Sequence, residues 1–342
     1  MSALTSAIAR LAAGNDLHAA EMKEALSVVM SGEGTPAQIG ALLMGLRMKG
    51  ETVEEIVAAA EVLRDLSTPV TVADTGHLID TCGTGGDGAS TFNISTATAL
   101  VCACAGAKVA KHGNRSVSSR SGSADVLEAA GAVLALTPAQ VALCIERVGV
   151  GFLFAPRHHE AMRHAAGPRR ELGIRTLFNM LGPLTNPARA PRQLVGVFAS
   201  ELLEPFASAL AALGGRHALV VHSDDGLDEI SPAAATEVCE MRDGVLSRYR
   251  IAPADFGLPA GGLDALRVDS AIASLDVLRR VLSGRDQGPA TVAVIMNAGA
   301  ALYVAGLAAD IASGAARARA LLQDARPAAK LDEFVAFTQG LA

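Results

Sequence analysis

The sequence predicts an α/β protein in which a small all-helical domain is hinged to a larger α/β domain, whose mostly parallel central sheet is flanked by helices. Three observations lead to this prediction. The first 66 residues contain only helical patterns with clear end signals. From about residue 73, strand-like runs alternate with helical runs, which is typical of helices packed on a parallel sheet. A length of 342 residues favours two domains over one small core.

The N-terminal helices are indicated by the residues at their ends. Thr35 can cap one helix, with Pro36 at its first position and Gly50 after its last residue. Thr52 and Glu55 match the capping box, in which each side chain satisfies a free backbone donor of the other residue. Apolar residues then recur at helical spacing, so that this part of the chain is predicted to be all helix.

The second part of the chain is predicted to form the sheet. Apolar runs predict parallel strands at residues 77–81, 107–111, 150–154, 193–198, 218–222 and 291–296. Helices are predicted between them, among others at residues 97–107, 137–148 and 201–213. Asp243-Gly244 lies between two alternating runs and predicts a hairpin, hence an antiparallel addition to the sheet.

The domain boundaries follow from where this alternation starts and where it is interrupted. Ser67-Thr68-Pro69 ends the last N-terminal helix, and a basic helix around residues 157–172 interrupts the alternation and is expected to pack back on the N-terminal helices. The helical domain is therefore predicted at residues 1–72 plus about 157–187, and the α/β domain at 73–156 plus about 188–342.

Composition argues against several classes of protein. The net charge of −6 is unlike that of a nucleic-acid binder. Five cysteines without a C-x-x-C pair indicate a reduced setting and no zinc site. The uncharged run 287–309 is long enough to cross a bilayer, but Pro289 and two glycines interrupt it, so a strand followed by a buried helix is the interpretation. With no signal-peptide pattern, we expect a cytoplasmic protein without nucleic-acid or membrane partners.

The segment Gly83–Gly88 is the clearest candidate site, because four of its six residues are glycine and it lies between a predicted strand and a predicted helix. Glycines let backbone N–H groups approach phosphate oxygens, and a helix N-terminus adds free donors and partial positive charge. The hydroxyls of Thr91, Ser95 and Thr96 add further donors. The spacing matches neither the P-loop nor the Rossmann fingerprint, so a tight turn that binds nothing is the alternative.

Two further polar segments are expected at the same edge of the sheet. Residues 111–125, which begin with Lys111 and are rich in serine, follow the next strand and suit a phosphate. Residues 224–229 follow a later strand, and their adjacent carboxylates suit Mg²⁺ bridged to phosphates. Solvated loops are the alternative for each segment. Together they indicate a Mg²⁺-bound sugar diphosphate, and arginines within 169–187 suit an anionic second substrate.

No serine or cysteine in the sequence has an evident histidine and acid partner, and there is no G-x-S-x-G motif. This favours direct group transfer over a covalent enzyme intermediate.

Six segments resemble the anthranilate phosphoribosyltransferase family of tryptophan biosynthesis. They occur in the family's order and span nearly the whole chain, at residues 83–88, 92–96, 111–116, 178–183, 225–229 and 297–303. The resemblance implies catalysis in a cleft between the two domains, Mg²⁺ as cofactor and a homodimer formed through the helical domains. The implied reaction transfers the 5-phosphoribosyl group from phosphoribosyl diphosphate to the amine of anthranilate, by Mg-assisted dissociative substitution with inversion at C1.

The resemblance also implies the residues of the site. Those implied for phosphoribosyl diphosphate are Gly83, Gly86, Asp87, Thr91, Asn93, Ile94, Ser95, Thr96, Lys111, Ser119 and Ser123. Those implied for anthranilate are Gly83, His112, Asn114, Arg169 and Pro183, and those for Mg²⁺ are Ser95, Asp228 and Glu229. One departure from the family pattern is Glu160, which follows His158-His159 and bears on the substrate entrance.

Two other classes of protein fit part of these features. A pyrimidine nucleoside phosphorylase has a similar fold and also acts on a ribosyl C1, but its Lys-His-Ser-Thr-Gly-Gly type of loop is absent here. A nucleic-acid-binding paralogue without enzymatic activity is expected to lack the diphosphate and metal segments and to carry a basic surface, and neither expectation fits this sequence.

Overall fold

The computed structural model describes residues 2–116 and 120–342 of the chain. Its N-terminal part consists of the helices α1 (Ala3–Ala12), α2 (Ala19–Met30), α3 (Pro36–Lys49) and α4 (Val53–Leu66). The strands, which all follow this part, are β1 (Leu78–Gly83), β2 (Lys108–Gly113), β3 (Val150–Phe154), β4 (Arg192–Gly196), β5 (His217–Ser223), β6 (Thr236–Arg242) and β7 (Val245–Ile251). The remaining helices are α5 (Ile94–Cys104), α6 (Ser123–Ala129), α7 (Pro138–Arg147), α8 (Ala155–His158), α9 (Arg163–Leu172), α10 (Phe178–Leu184), α11 (Leu203–Ala212), α12 (Ala271–Leu282), α13 (Pro289–Val304), α14 (Ile311–Gln323) and α15 (Arg326–Gly340).

Within the described ranges, seven strands form one sheet in the order β3-β2-β1-β4-β5-β6-β7. Strands β1 to β5 pair in parallel, and β6 and β7 are added antiparallel. Asp243 and Gly244 have φ values of 49° and 82°, as the turn of a two-residue hairpin requires. The predicted fold class, helices followed by a mostly parallel sheet flanked by helices, is confirmed.

The two faces of the sheet belong to two hydrophobic clusters, because successive side chains of a strand point to opposite faces. Leu219 and Val221 of β5 pack with α5, α12 and α13 on one face. Ala218 and Val220 of the same strand pack with α11 on the other face, in a cluster that continues into α1 to α4. The N-terminal helices therefore extend the core of one sheet face.

The prediction of a strand at residues 291–296 is wrong, since these residues lie inside α13. Their β-branched side chains suggested a strand, but a short apolar run does not distinguish a strand from a buried helix. Pro289 occupies the first turn, and the helix is buried nearly all round between α5, α14 and the sheet, so it shows no polar face. Within the described ranges, no helix is long and apolar enough to cross a membrane.

Two element boundaries differ from prediction in ways that shape the site. Helix α5 begins at Ile94 instead of residue 97, which places Ser95 and Thr96 in its first turn. Strand β2 continues to Gly113 instead of ending at Lys111, so His112 also lies in the strand, and both side chains are buried.

The predicted basic helix at residues 157–172 is interrupted between α8 and α9, and α9 packs against α2 and α3 as expected. The packing is tight at Gly32, where an added Cβ would lie 2.7 Å from the ring of His164.

The N-terminal helices contain a buried ion pair whose loss should destabilise the protein. The side chain of Glu55 is fully buried, accepts a hydrogen bond from the N–H of Leu17 at 2.8 Å and lies 2.9 Å from Nζ of Lys49. Glu55→Ala should lower the free energy of unfolding by about 3 kcal/mol, because it leaves the Lys49 charge and a buried amide without this partner. Denaturant unfolding measures this, with Glu24→Ala on the exposed side of α2 as the control. Equal losses in the two variants would contradict the prediction.

Candidate active site

The glycine loop (Gly83–Gly88) and the acidic segment (residues 224–229) meet at the carboxyl ends of β1 and β4, as predicted. The N–H of Gly85 donates to Oδ2 of Asp228 at 2.7 Å. A Cβ on Gly83 would lie 2.6 Å from the same oxygen, and a Cβ on Gly196 would lie 1.5 Å from the carbonyl oxygen of Asp228. Neither position has room for a side chain, so both glycines are needed for this close approach.

Three carboxylates are crowded at this edge of the sheet. Burial and the charge of Asp87 raise the pKa of Asp228 to about 7. Burial and the charge of Asp228 raise the pKa of Glu229 well above its usual range, and Lys111 opposes this shift. Crowded carboxylates repel one another unless a cation is near, and oxygen ligands are those that Mg²⁺ prefers. The donor set therefore fits Mg²⁺.

Protein side chains would supply only part of the coordination. Among the residues that the structure describes, no group of three His, Cys, Asp or Glu side chains is arranged to hold a metal ion. Mg²⁺ usually keeps several waters and binds one or two carboxylates plus substrate phosphates, so a partial protein site is what this ion requires.

Lys111 links the end of β2 to β1 and to the start of α5, the elements on either side of the glycine loop. Its side chain is buried, and Nζ donates to the carbonyl of Thr81 at 2.5 Å and to the hydroxyl of Ser95 at 3.1 Å. Burial lowers the pKa of this ammonium group, and the neighbouring Asp80 and Glu229 oppose the shift. The ammonium has three donors and these contacts use two of them, which suits a fixed point charge under a phosphate site.

Asn93 holds the surrounding loops in place. Its Oδ1 accepts hydrogen bonds from the hydroxyls of Ser121 at 2.9 Å and of Ser274 at 2.7 Å, and its Nδ2 donates to the carbonyl of Ser121 at 3.2 Å. This network joins the start of α5 to the loop before α6 and to α12. Ser274 was not predicted from the sequence, because nothing distinguishes it from other serines in an amphipathic helix.

Other residues implied for the diphosphate differ in how they face the site. The side chains of Ile94 and Thr96 are buried, and their N–H groups donate to the carbonyls of Phe92 and Asn93. Thr91 forms an isolated bridge with Arg267.

The loop after β2 is shaped by its own hydrogen bonds. The hydroxyl of Ser123 donates to the carbonyl of Asn114 at 3.4 Å, and Oδ2 of Asp125 accepts from the N–H groups of Ser116 and Gly122. Ser119 lies outside the described residues.

Two buried histidines lie on the side of the site implied for anthranilate. Nδ1 of His112 donates to the carbonyl of Gly182 at 3.0 Å, and its ring centroid lies 5.2 Å from that of His159. The Nε2 atom of His112 and both ring nitrogens of His159 are buried without a hydrogen-bond partner among the described residues. Pro183, which follows Gly182, is buried, whereas Glu160 is exposed. Sequence reasoning did not single out the contact between the two histidines.

These histidines should make the protein less stable at mildly acidic pH. Burial, with a smaller contribution from the charge of His159, lowers the pKa of His112 to about 3. Burial, with a smaller contribution from the charge of His158, lowers the pKa of His159 to about 4. The unfolded chain protonates them near about pH 6.5. Between these values the unfolded state binds protons that the folded state does not, so stability is lost as the pH falls below about 6.5. A His112→Asn/His159→Asn variant should show a weaker loss of urea stability between about pH 7 and about pH 4.5 than the parent protein. An equal loss would contradict the assignment.

The segment from the last turn of α9 to the start of β4 connects the helices to the glycine loop. The guanidinium of Arg169 lies 5.0 Å from the ring of Phe178, and burial lowers its pKa. Arg175, which the sequence did not single out, donates to the carbonyl of Gly86 and stacks on the ring of Phe198 at 4.4 Å. The two cation–π contacts and the hydrogen bond to the carbonyl of Gly86 together hold this segment beside the glycine loop.

Asn186 anchors the end of this segment in the sheet. Its Nδ2 donates to Oδ2 of Asp80 at 2.7 Å and to the carbonyl of Ala110 at 2.8 Å. The other oxygen of Asp80 accepts from the N–H of His112 at 3.2 Å. A carboxylate within an otherwise apolar strand was the signal in the sequence that could have indicated this buried connection.

A glycine-rich loop opposite a carboxylate pair is suited to a phosphate group with its cation, and the family models place the chain among glycosyl transferases. Residues 75–327 match the a/b domain of a glycosyl transferase family, and residues 5–67 match the helical bundle domain of the same family.

Individual relatives narrow this class. The chain is 59% identical over 323 residues to an anthranilate phosphoribosyltransferase of Thioalkalivibrio sulfidiphilus, covering 94% of this chain and 95% of that protein. It resembles the crystal structure of the Thermus thermophilus enzyme with a TM-score of 0.92 and 42% identity, over 99% of this chain and 100% of that one. The Saccharomyces cerevisiae enzyme, in complex with PRPP and Mg, matches with a TM-score of 0.90 and 27% identity over 99% and 98% of the two chains. The chain belongs to the anthranilate phosphoribosyltransferase family and is a transferase.

Proposed function

We propose that this chain transfers the 5-phosphoribosyl group of phosphoribosyl diphosphate to the amine of anthranilate, giving N-(5-phosphoribosyl)anthranilate and diphosphate. This reaction is the second step of tryptophan biosynthesis from chorismate. The observation that carries the proposal is the contact between the glycine loop and Asp228 beside the buried Lys111. A diphosphate with its cation needs this combination of N–H donors, ammonium and carboxylates. The names of the relatives and the ligands of the yeast enzyme support the same reaction.

The proposed ligands of the site are carried over from the family pattern. Phosphoribosyl diphosphate is assigned to Gly83, Gly86, Asp87, Thr91, Asn93, Ile94, Ser95, Thr96, Lys111, Ser119 and Ser123. Anthranilate is assigned to Gly83, His112, Asn114, Arg169 and Pro183, and Mg²⁺ to Ser95, Asp228 and Glu229. The geometry supports direct contact for Lys111 and the glycine loop, and a role for Asn93 through the loops that it holds.

The arrangement suits a dissociative substitution with inversion at the ribose C1. Donors fixed before the reaction stabilise the charge that develops on the departing diphosphate, and one such donor is worth roughly 3–4 kcal/mol where measured. Bound Mg²⁺ would neutralise part of the same charge. Arg169 can bind the carboxylate of anthranilate in bidentate fashion, and Asn114 can help to orient its amine towards the opposite face of C1.

We also propose two bodies that close around the substrates, residues 1–72 with about 157–187 and residues 73–156 with about 188–342. Two hydrogen bonds that join the parts of the first body support this division: the N–H of Thr68 donates to the carbonyl of His158 at 2.9 Å, and Nδ1 of His158 donates to the carbonyl of Thr68 at 2.9 Å. Closure would exclude water, which competes for the cation-like ribose.

We infer a homodimer through the helical bodies, supported by Met48 of α3, which is 81% exposed. Five free cysteines support a reduced, cytoplasmic setting.

Anthranilate fluorescence tests the proposed reaction. Purified protein mixed with anthranilate, phosphoribosyl diphosphate and Mg²⁺ should show a loss of fluorescence that requires the diphosphate and stops on addition of EDTA. Persistent fluorescence with folded protein would overturn the acceptor assignment. In that case, phosphoribosyl diphosphate consumption with other amines would show which acceptor the site takes.

A further inference from the structure

Asn297 is a fully buried amide in the apolar helix α13. Its Oδ1 accepts from the N–H of Ile230 at 3.1 Å, and its Nδ2 donates to the carbonyl of Ile230 at 2.9 Å. The same Nδ2 donates to the carbonyl of Ala293 at 2.9 Å, one turn earlier in α13. The side chain therefore pairs with both backbone groups of Ile230, much as a neighbouring strand would.

Ile230 directly follows the carboxylate pair Asp228-Glu229. The first residue of the pair is held as well, because the carbonyl of Asp228 packs against Gly196 of β4, where even a Cβ would not fit. The segment is also closed on itself, because the hydroxyl of Ser231 donates to Oδ2 of Asp225 at 2.6 Å. The backbone that carries the two carboxylates is thus held by the sheet, by its own loop and by α13.

Helix α13 is itself fixed in position. A Cβ on Gly299 would lie 2.6 Å from the backbone nitrogen of Ala315, and one on Gly314 would lie 2.3 Å from the carbonyl of Gly299. The backbones of α13 and α14 are therefore in contact at Gly299, two residues after Asn297, and this contact gives the amide a rigid base. Rigid support matters because groups that orient metal ligands typically change affinity by about 10- to 100-fold when they are removed.

We propose that Asn297 is a positioning residue that holds the backbone of Ile230 and so sets the place of Asp228 and Glu229 opposite the glycine loop. This inference rests on the proposed assignment of the two carboxylates to the metal. An apolar residue of similar size would leave the N–H and carbonyl of Ile230 without these partners in the core, and the segment would shift to recover hydrogen bonds.

Binding of Mn²⁺ alone, followed by the EPR signal of the free ion, tests this without relying on turnover. Carboxylate sites that suit Mg²⁺ also take Mn²⁺. Asn297→Leu should weaken Mn²⁺ binding and raise its Kd by about tenfold or more. Asn297→Ser, which is smaller and has a hydroxyl in place of the amide, should raise the Mn²⁺ Kd as well and serves if the leucine variant does not fold.

Thr338→Val is the matched control, because it removes the hydroxyl of another fully buried side chain. That hydroxyl accepts a hydrogen bond from the N–H of Val133 at 3.1 Å, and neither residue belongs to the metal segment. It should lower stability and leave the Mn²⁺ Kd unchanged. A wild-type Kd in folded Asn297 variants, or the same weakening in Thr338→Val, would overturn the inference. Retained Mn²⁺ binding in Asp228→Ala/Glu229→Ala would instead refute the metal assignment itself.

Discussion

Replacing both Asp228 and Glu229 by alanine should lower kcat/KM by about 100-fold or more. Loss of the carboxylates removes the proposed Mg²⁺ ligands, and a bound cation is worth several kcal/mol of charge stabilisation on a departing phosphate group. The protein should stay folded, since removing two crowded carboxylates relieves the repulsion and burial that raise their pKa values. Steady-state kinetics with anthranilate fluorescence at several Mg²⁺ concentrations measure the effect.

Asp224→Ala is the matched control for this variant. Asp224 lies four residues earlier in the same segment, is exposed and pairs with Arg250 on the surface. Exposed pairs contribute little, so kcat/KM should stay near the parent value. If Asp224→Ala impairs turnover as strongly as the double variant, the metal residues are assigned to the wrong carboxylates.

Lys111→Met should raise the KM for phosphoribosyl diphosphate by about 10- to 100-fold, the usual range for one hydrogen bond to a charged group. The buried ammonium contacts Ser95 at the start of α5, where a phosphate would lie. Methionine fills the same volume without the charge. Removing a buried donor from the carbonyl of Thr81 also lowers stability, so circular dichroism must accompany the kinetics.

Lys108→Met on the same strand is the control for the lysine variant. Lys108 lies at the start of β2 and pairs with the exposed Asp74 at 2.9 Å. Its replacement should leave the KM unchanged, because the start of a parallel strand lies at the sheet edge opposite to the site. An unchanged KM in Lys111→Met would remove this lysine from the diphosphate site.

The meeting of the glycine loop, Lys111 and Asp228 was predictable from the sequence. Parallel strands end at the same edge of a sheet, so polar segments that follow successive strands must approach one another. The capping residues Thr35 and Thr52 were equally readable, and both cap their helices with capping boxes. These predictions use local rules and the repeat of strands and helices, which need no knowledge of distant contacts.

The remaining features depend on contacts between distant parts of the chain. Asn297 binds Ile230, which lies 67 residues earlier, and nothing in its neighbourhood of apolar residues indicates that partner. Asp80 and Asn186 are separated by 106 residues. The strand wrongly predicted at residues 291–296 failed for a related reason, because full burial removes the polar face that would identify a helix.

A crystal of the protein grown with Mn²⁺ and phosphoribosyl diphosphate provides the most direct test, through the anomalous scattering of the metal. We expect a peak about 2.1 Å from carboxylate oxygens of Asp228 and Glu229, with the diphosphate against the N–H groups of Gly83–Gly88. A metal held by Asp224 and Asp225 instead, or a diphosphate bound away from the glycine loop, would contradict the account of this site.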